Sequence, residues 1–166
     1  RIRGYVIGGA LYETSGSQYS LEDLRALAED LGVAGITGFT GFVEDPAAAM
    51  RSLDMVVHAS TQPEPFGLVV VEAMACGRAL IASQAGGSAE LFTDGENALA
   101  FAPRDVEDLS NKIQALAEDP ALRERLGAAG RLHAEKYFDR ARLAVQLVPL
   151  YHAAVVSPRT ADTLVH

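Results

Sequence analysis

At 166 residues, 49% of them apolar, the chain is long enough for one domain with a real core and too apolar to be disordered. Acidic residues outnumber basic ones 22 to 14, a net charge of −8, which argues against a nucleic-acid or anionic-membrane surface built on clustered Lys and Arg. Cys76 is the only cysteine, so there is no internal disulfide. No apolar run approaches the length of a membrane span. The expected location is the cytoplasm, or a membrane periphery reached through a segment outside this chain. The opening Arg1-Ile2-Arg3-Gly4 does not read as a signal peptide, and the missing initiator Met makes the chain read as a piece of a longer protein.

Strand and helix signals alternate. Residues 4–9 are a short apolar run ending in glycines, read as a buried strand. After a polar loop, Ser20 predicts a cap for a helix over 21–31, with Asp23 at the third helical position and Leu21, Leu24, Leu27 and Leu31 on one stripe. Residues 35–43 read as a second strand running into a loop. A short helix follows over 46–52, with Pro46 at its start. Residues 53–59 read as a third strand, and the two prolines of Thr61-Gln62-Pro63-Glu64-Pro65 force a loop. A fourth strand is expected over 78–83, a short helix near 88–92 and a fifth strand over 98–101. Val106, Leu109, Ile113 and Leu116 have helical spacing, Asp119-Pro120 opens another helix, and Asp139 caps a last one that Pro149 should kink or end. Residues 157–166 read as a loose tail. The fold class is therefore α/β: a doubly wound, Rossmann-like parallel sheet with helices on both faces and a helical C-terminal segment, one domain over 1–156. In such sheets ligands bind beyond the carboxyl ends of the strands, where the loops at 9–20, 42–46, 61–67 and 84–88 fall.

Between Leu68 and Cys76 every residue but Glu72 is apolar. Three consecutive valines look strand-like, but Glu-Ala-Met-Ala is strongly helical, so residues 67–76 are read as a buried helix starting at Phe66-Gly67. The free amides of Gly67, Leu68 and Val69, with the helix dipole, then make a phosphate site that needs no cationic surface. A carboxylate buried in such a helix needs a donor, because leaving it unpaired costs several kcal/mol or more. Sugar hydroxyls would serve Glu72; so would a backbone N–H or a nearby basic side chain. Glu64, eight residues earlier, stands at the mouth of the site, or is a solvated loop carboxylate.

Glu64 and Glu72, set in "EPFGLVVVEAMACG", resemble the signature of family-4 retaining glycosyltransferases, which face two Rossmann-like domains across a cleft. The resemblance runs over nearly all of 4–140, through "VIGG", "LAEDLGV", "GFTGFV", "LDMVVHAS" and "ALIASQAGGSAELFTDGENALAFAPRD". It implies the donor-binding, C-terminal domain of an enzyme that moves a hexosyl unit from a UDP- or GDP-hexose to an acceptor. It further implies that Glu72 binds ribose hydroxyls and that Glu64 contacts the transferred sugar and helps position the leaving group. Backbone groups of Phe66, Gly67, Leu68 and Val69 face the diphosphate and sugar, and Gly41, Phe42 and Val43 border the base. Catalysis is then mainly charge stabilisation on the departing diphosphate, with retention at the anomeric carbon. Family members begin this domain earlier, with a strand and helix that bring an Arg and a Lys to the diphosphate. Those cations cannot be assigned within this chain, the acceptor domain is expected as a missing partner, and this chain alone is expected to be inactive.

No cofactor or metal is expected: no His, Cys, Asp and Glu set has ligand spacing, and no Asp-x-Asp occurs. His58 reads as a hydrogen-bonded core histidine rather than a base, and His133 and His152 as surface residues. Ser60 and Ser83 lack a nucleophile-elbow motif, Cys76 reads as inert core, and Gly86-Gly87 as either a turn or a loop near the donor. The alternatives are a non-catalytic nucleotide-sugar-binding module and a nucleotide-sugar epimerase domain.

Overall fold

The computed structural model describes residues 2–9 and 19–156. The strands are β1 (Gly4–Ile7), β2 (Thr37–Gly41), β3 (Met55–His58), β4 (Ala79–Ser83) and β5 (Leu99–Phe101). The helices are α1 (Leu21–Asp30), α2 (Pro46–Arg51), α3 (Leu68–Ala75), α4 (Val106–Glu118), α5 (Pro120–Tyr137) and α6 (Arg140–Val156). Short 3-10 turns occupy Ala34–Ile36, where the second strand was expected to begin, and Gly87–Glu90. The expected tail at 157–166 and most of the 11–19 loop lie outside the described residues.

Every strand pair is parallel, as alternating strands and helices require. Hydrogen bonding divides the strands into a β1-β2 pair and a three-stranded sheet ordered β3-β4-β5. The core sits on the second sheet. On one face Val56, Leu80, Ala82, Ala98 and Ala100 pack against Val70, Ala73 and Met74 of α3. On the other, Ala79, Ile81, Leu99 and Phe101 pack against Leu116 of α4 and Leu126 of α5. All five residues of β4 are buried, which explains its unbroken apolar sequence.

The helix starts follow side-chain chemistry. Ser20 Oγ accepts from the Asp23 N–H at 3.0 Å, and the Asp23 carboxylate accepts from the Ser20 N–H at 3.0 Å, a reciprocal capping box. Asp119 caps α5 by accepting from the Leu122 N–H at 2.9 Å, with Pro120 in the first turn. Asp139 accepts from the Ala141 N–H at 2.8 Å, at the start of α6.

Three expectations are corrected. First, β1 is not buried: Tyr5 and Val6 are 52% and 41% exposed. It hydrogen-bonds to β2 alone, so its apolar side chains gain little cover. Secondly, the leucine stripe of α1 is not its buried face. Leu21, Leu27 and Leu31 are exposed, and Ala28 is the one buried residue of the helix. Thirdly, of the kink or end expected at Pro149 the end does not occur: α6 continues to Val156. A proline removes one intrahelical hydrogen bond without obliging the helix to end.

Two outcomes follow from this packing. A Cβ at Gly127 would stand 2.4 Å from the Gly77 carbonyl oxygen, where α5 crosses the start of β4. Gly127→Ala should therefore lose about 1–3 kcal/mol despite alanine's better helix propensity, lowering the melting temperature by about 2–10 °C; a melting temperature unchanged or raised in thermal denaturation would contradict the fit. The Ser20 hydroxyl and backbone N–H bonds hold the Asp23 carboxyl below the ordinary 3.8. Its folded value is depressed, so its contribution to stability is full above the unfolded value and is lost as pH falls through the folded one. Ser20→Ala should return Asp23 towards its ordinary titration, as read by carboxyl NMR.

Candidate functional site

Strand β3 ends at His58, and the following loop carries the first glutamate to the carboxyl edge of the sheet. The backbone of that loop is fixed by the loop after β4. Glu64 forms an isolated parallel bridge with Gly86, and the Gly87 N–H donates to the Glu64 carbonyl at 2.7 Å. The approach is so close that only glycine fits. A Cβ at Gly86 would lie 2.6 Å from the Glu64 carbonyl oxygen, and one at Gly87 2.1 Å from that of Pro65. Gly86 and Gly87 thus lie against the loop that carries Glu64.

Helix α3 begins at Gly67, whose φ of 94° is left-handed and which offers no side-chain cap. Val70 N–H donates back to the Gly67 carbonyl at 3.0 Å, and the amides preceding it belong to the unpaired donors of a first turn. A Cβ at Gly67 would stand 2.9 Å from Ser88 Cβ and 3.6 Å from Glu64 Oε2, so the Glu64 carboxylate lies beside the start of the helix. Glu64 Oε1 is 3.0 Å from His58 Nε2. Phe66 packs edge-on to Phe138 with ring centroids 6.2 Å apart, tying the loop to the α5–α6 junction.

The structure overturns the burial of Glu72. Helix α3 is apolar all round, but only Val70, Ala73 and Met74 are buried, while Leu68, Val69, Glu72 and Ala75 are exposed. Leu68 and Glu72 are one turn apart and share the open face. Water can therefore solvate the Glu72 carboxylate, and burial does not demand a ligand for it. What remains is the position of Glu72 on the uncovered face of the helix that starts beside Glu64.

Residues Glu64, Phe66, Gly67, Leu68 and Val69 are thus brought together at one helix start. Gly41, Phe42 and Val43 lie at the carboxyl end of β2, in the other sheet. There the Gly8 N–H donates to the Gly41 carbonyl at 3.1 Å, a Cβ at Gly9 would stand 2.9 Å from the Phe42 backbone nitrogen, and Phe42 is 60% exposed. A concavity of about 370 Å³, lined by Asp54, Arg78, Pro120 and Arg123 among others, opens at the opposite, amino end of the sheet and shares no residue with this site. His58 is buried and hydrogen-bonded as expected, but its partner is a candidate site residue six positions on, which nothing in its strand environment signalled.

A parallel α/β layer with its loops and a glycine-led helix start at the carboxyl edge defines a Rossmann-like ligand-binding domain. The chain belongs to the family of glycosyl transferases group 1, whose model matches residues 5–133. It is 36% identical over 135 residues to a D-inositol 3-phosphate glycosyltransferase of Arthrobacter sp. (strain FB24), covering 80% of this chain and 32% of that protein. It is 37% identical over 91 residues to a glycogen synthase of Mycobacterium tuberculosis, covering 55% of this chain and 22% of that protein. Among solved structures, Anabaena Alr3699/HepE in complex with UDP superposes with a TM-score of 0.84 at 32% identity, covering 92% of this chain and 41% of that one. The same Anabaena protein in complex with UDP-glucose gives 0.82. The chain spans about a third of the length of the first curated relatives it matches.

Gly87→Ala should force the two site loops apart and cost about 1–3 kcal/mol of stability. Gly35→Ala, where a Cβ meets nothing within 4 Å, should stay within about 0.5 kcal/mol of the parent. Urea denaturation of both variants checks the contrast.

Proposed function

We propose that this chain is the donor-binding half of a retaining glycosyltransferase that moves a hexosyl unit from a nucleoside-diphosphate sugar, such as a UDP- or GDP-hexose, to an acceptor. The observation that carries this reading is the placement of the Glu64 carboxylate beside the open first turn of α3, at the carboxyl edge of a parallel sheet. Such a turn offers backbone N–H groups and the positive end of a dipole to a diphosphate, which suits a chain of net charge −8. The likeness to an Anabaena protein solved with UDP and with UDP-glucose supports a donor of that class.

In this reading the amides of Gly67, Leu68 and Val69 meet the diphosphate, with the Phe66 backbone beside them. Glu72 accepts hydrogen bonds from the ribose hydroxyls, Glu64 accepts from the sugar, and Gly41, Phe42 and Val43 border the base. As the glycosidic bond to the diphosphate breaks, negative charge grows on the leaving oxygens, and donors already aimed at them stabilise that charge. No cofactor of the chain's own enters the scheme. The acceptor is bound by another domain, in keeping with the share of its relatives' length that this chain spans. The location in this reading is the cytoplasm, or a membrane periphery reached through a segment outside this chain. No helix among the described residues is long and apolar enough to cross a membrane.

Isothermal calorimetry tests the reading. The chain should bind a nucleoside diphosphate weakly, and Glu72→Ala should weaken that binding by about tenfold or more, the loss of hydrogen bonds to a charged acceptor. Absence of binding to every nucleoside diphosphate, by this chain and by a polypeptide extended upstream, would overturn it.

A further inference from the structure

We infer that His58 is a positioning residue for Glu64, fixing which carboxylate oxygen the site offers to the donor sugar; the inference rests on the donor-site reading above. His58 closes β3 and is 8% exposed, whereas the Glu64 side chain is 34% exposed. Nε2 of His58 lies 3.0 Å from Glu64 Oε1. Nδ1 of the same ring is buried and has no partner. A hydrogen on Nδ1 would be an orphaned buried donor, so the tautomer that fits carries it on Nε2 and donates to Glu64.

The backbone of Glu64 is already immobilised by Gly86 and Gly87, which leaves its side-chain torsions as the remaining freedom. A half-exposed glutamate left to itself exchanges rotamers and turns its charge to water. The bond from a buried imidazole removes that freedom. It occupies Oε1 and leaves Oε2 beside Gly67, at the start of α3. The missing Gly67 side chain keeps that approach open. One oxygen is then committed to the protein and the other faces the place where the reading puts the sugar. The role of His58 is to reduce the cost of ordering Glu64 when the sugar binds, not to exchange a proton with the substrate.

The inference predicts a loss confined to the sugar. Calorimetry with UDP and with UDP-glucose gives the gain in affinity due to the glucosyl group. His58→Leu, which keeps the volume and removes the donor, should leave UDP binding within about twofold and reduce that gain by about three- to tenfold, the cost of ordering one glutamate side chain on binding. His58→Gln, which restores an N–H donor at similar reach, should recover most of it. In a Glu64→Ala background His58→Leu should have no further effect. In the unliganded protein, imidazole ¹⁵N shifts should show the Nε2–H tautomer and should move on Glu64→Gln.

Equal weakening of UDP and UDP-glucose by His58→Leu would make the histidine merely structural and overturn the inference. So would a full His58→Leu effect in the Glu64→Ala background, or an Nδ1–H tautomer. If Glu64→Ala leaves the glucosyl gain intact, or the parent shows no such gain, the donor reading itself falls and takes the inference with it. If Glu64→Ala removes the gain and His58→Leu does not, only the positioning role falls.

Discussion

The loops after β3 and β4 meet backbone to backbone, and the rest of the carboxyl edge depends on that contact. Gly87 donates to the Glu64 carbonyl, Gly86 lies level with Glu64, and neither position has room for a Cβ. The contact fixes the direction in which the chain enters α3. It therefore sets where the first-turn amides point and where the Glu64 side chain departs. A side chain at either glycine would move all of these together, because loop, helix start and carboxylate form one continuous piece of chain. Ser88 continues the arrangement: its hydroxyl donates to the Ala85 carbonyl while its Cβ closes on Gly67.

The elements most legible in the sequence were those governed by local chemistry. Ser20 with Asp23, and Asp119 with Pro120, mark helix starts that need no tertiary context. The parallel order of strands followed from their alternation with helices. Legibility was lost wherever cover by other elements decided the outcome. Apolar residues on α3 suggested burial on all sides, yet the helix has one covered face, and Leu68, Val69 and Glu72 lie on the open one. The leucines of α1 suggested a core stripe, yet the small Ala28 is the buried residue of the helix. The segment from Glu64 to Gly77 pointed to the candidate loop and helix, whereas the His58–Glu64 bond joins a strand end to a loop and has no sequence period to betray it.

In the donor-site reading, charge and fold are reconciled at this edge. An acidic protein that holds a phosphate group with side chains would need a local surplus of Lys and Arg. Backbone donors at a helix start avoid that requirement, because their partial charges belong to the fold and are independent of the side-chain balance. The price is geometric: the helix must begin abruptly, and the left-handed Gly67 is the residue that lets it do so.

The uneven distribution of cover between the two sheets carries a thermodynamic consequence. In the described segments 2–9 and 19–49 Ala28 alone is buried, whereas β4 is buried along its whole length. Free energies of local opening follow buried apolar contact, so β1, β2 and α1 open at lower cost than the β3–β5 unit. Residues 41–43 thus belong to the weaker half and Glu64 to the stronger. A molecule touching both would act as a crosslink between the two, raising the opening free energy of the weaker one with the logarithm of its concentration relative to its dissociation constant.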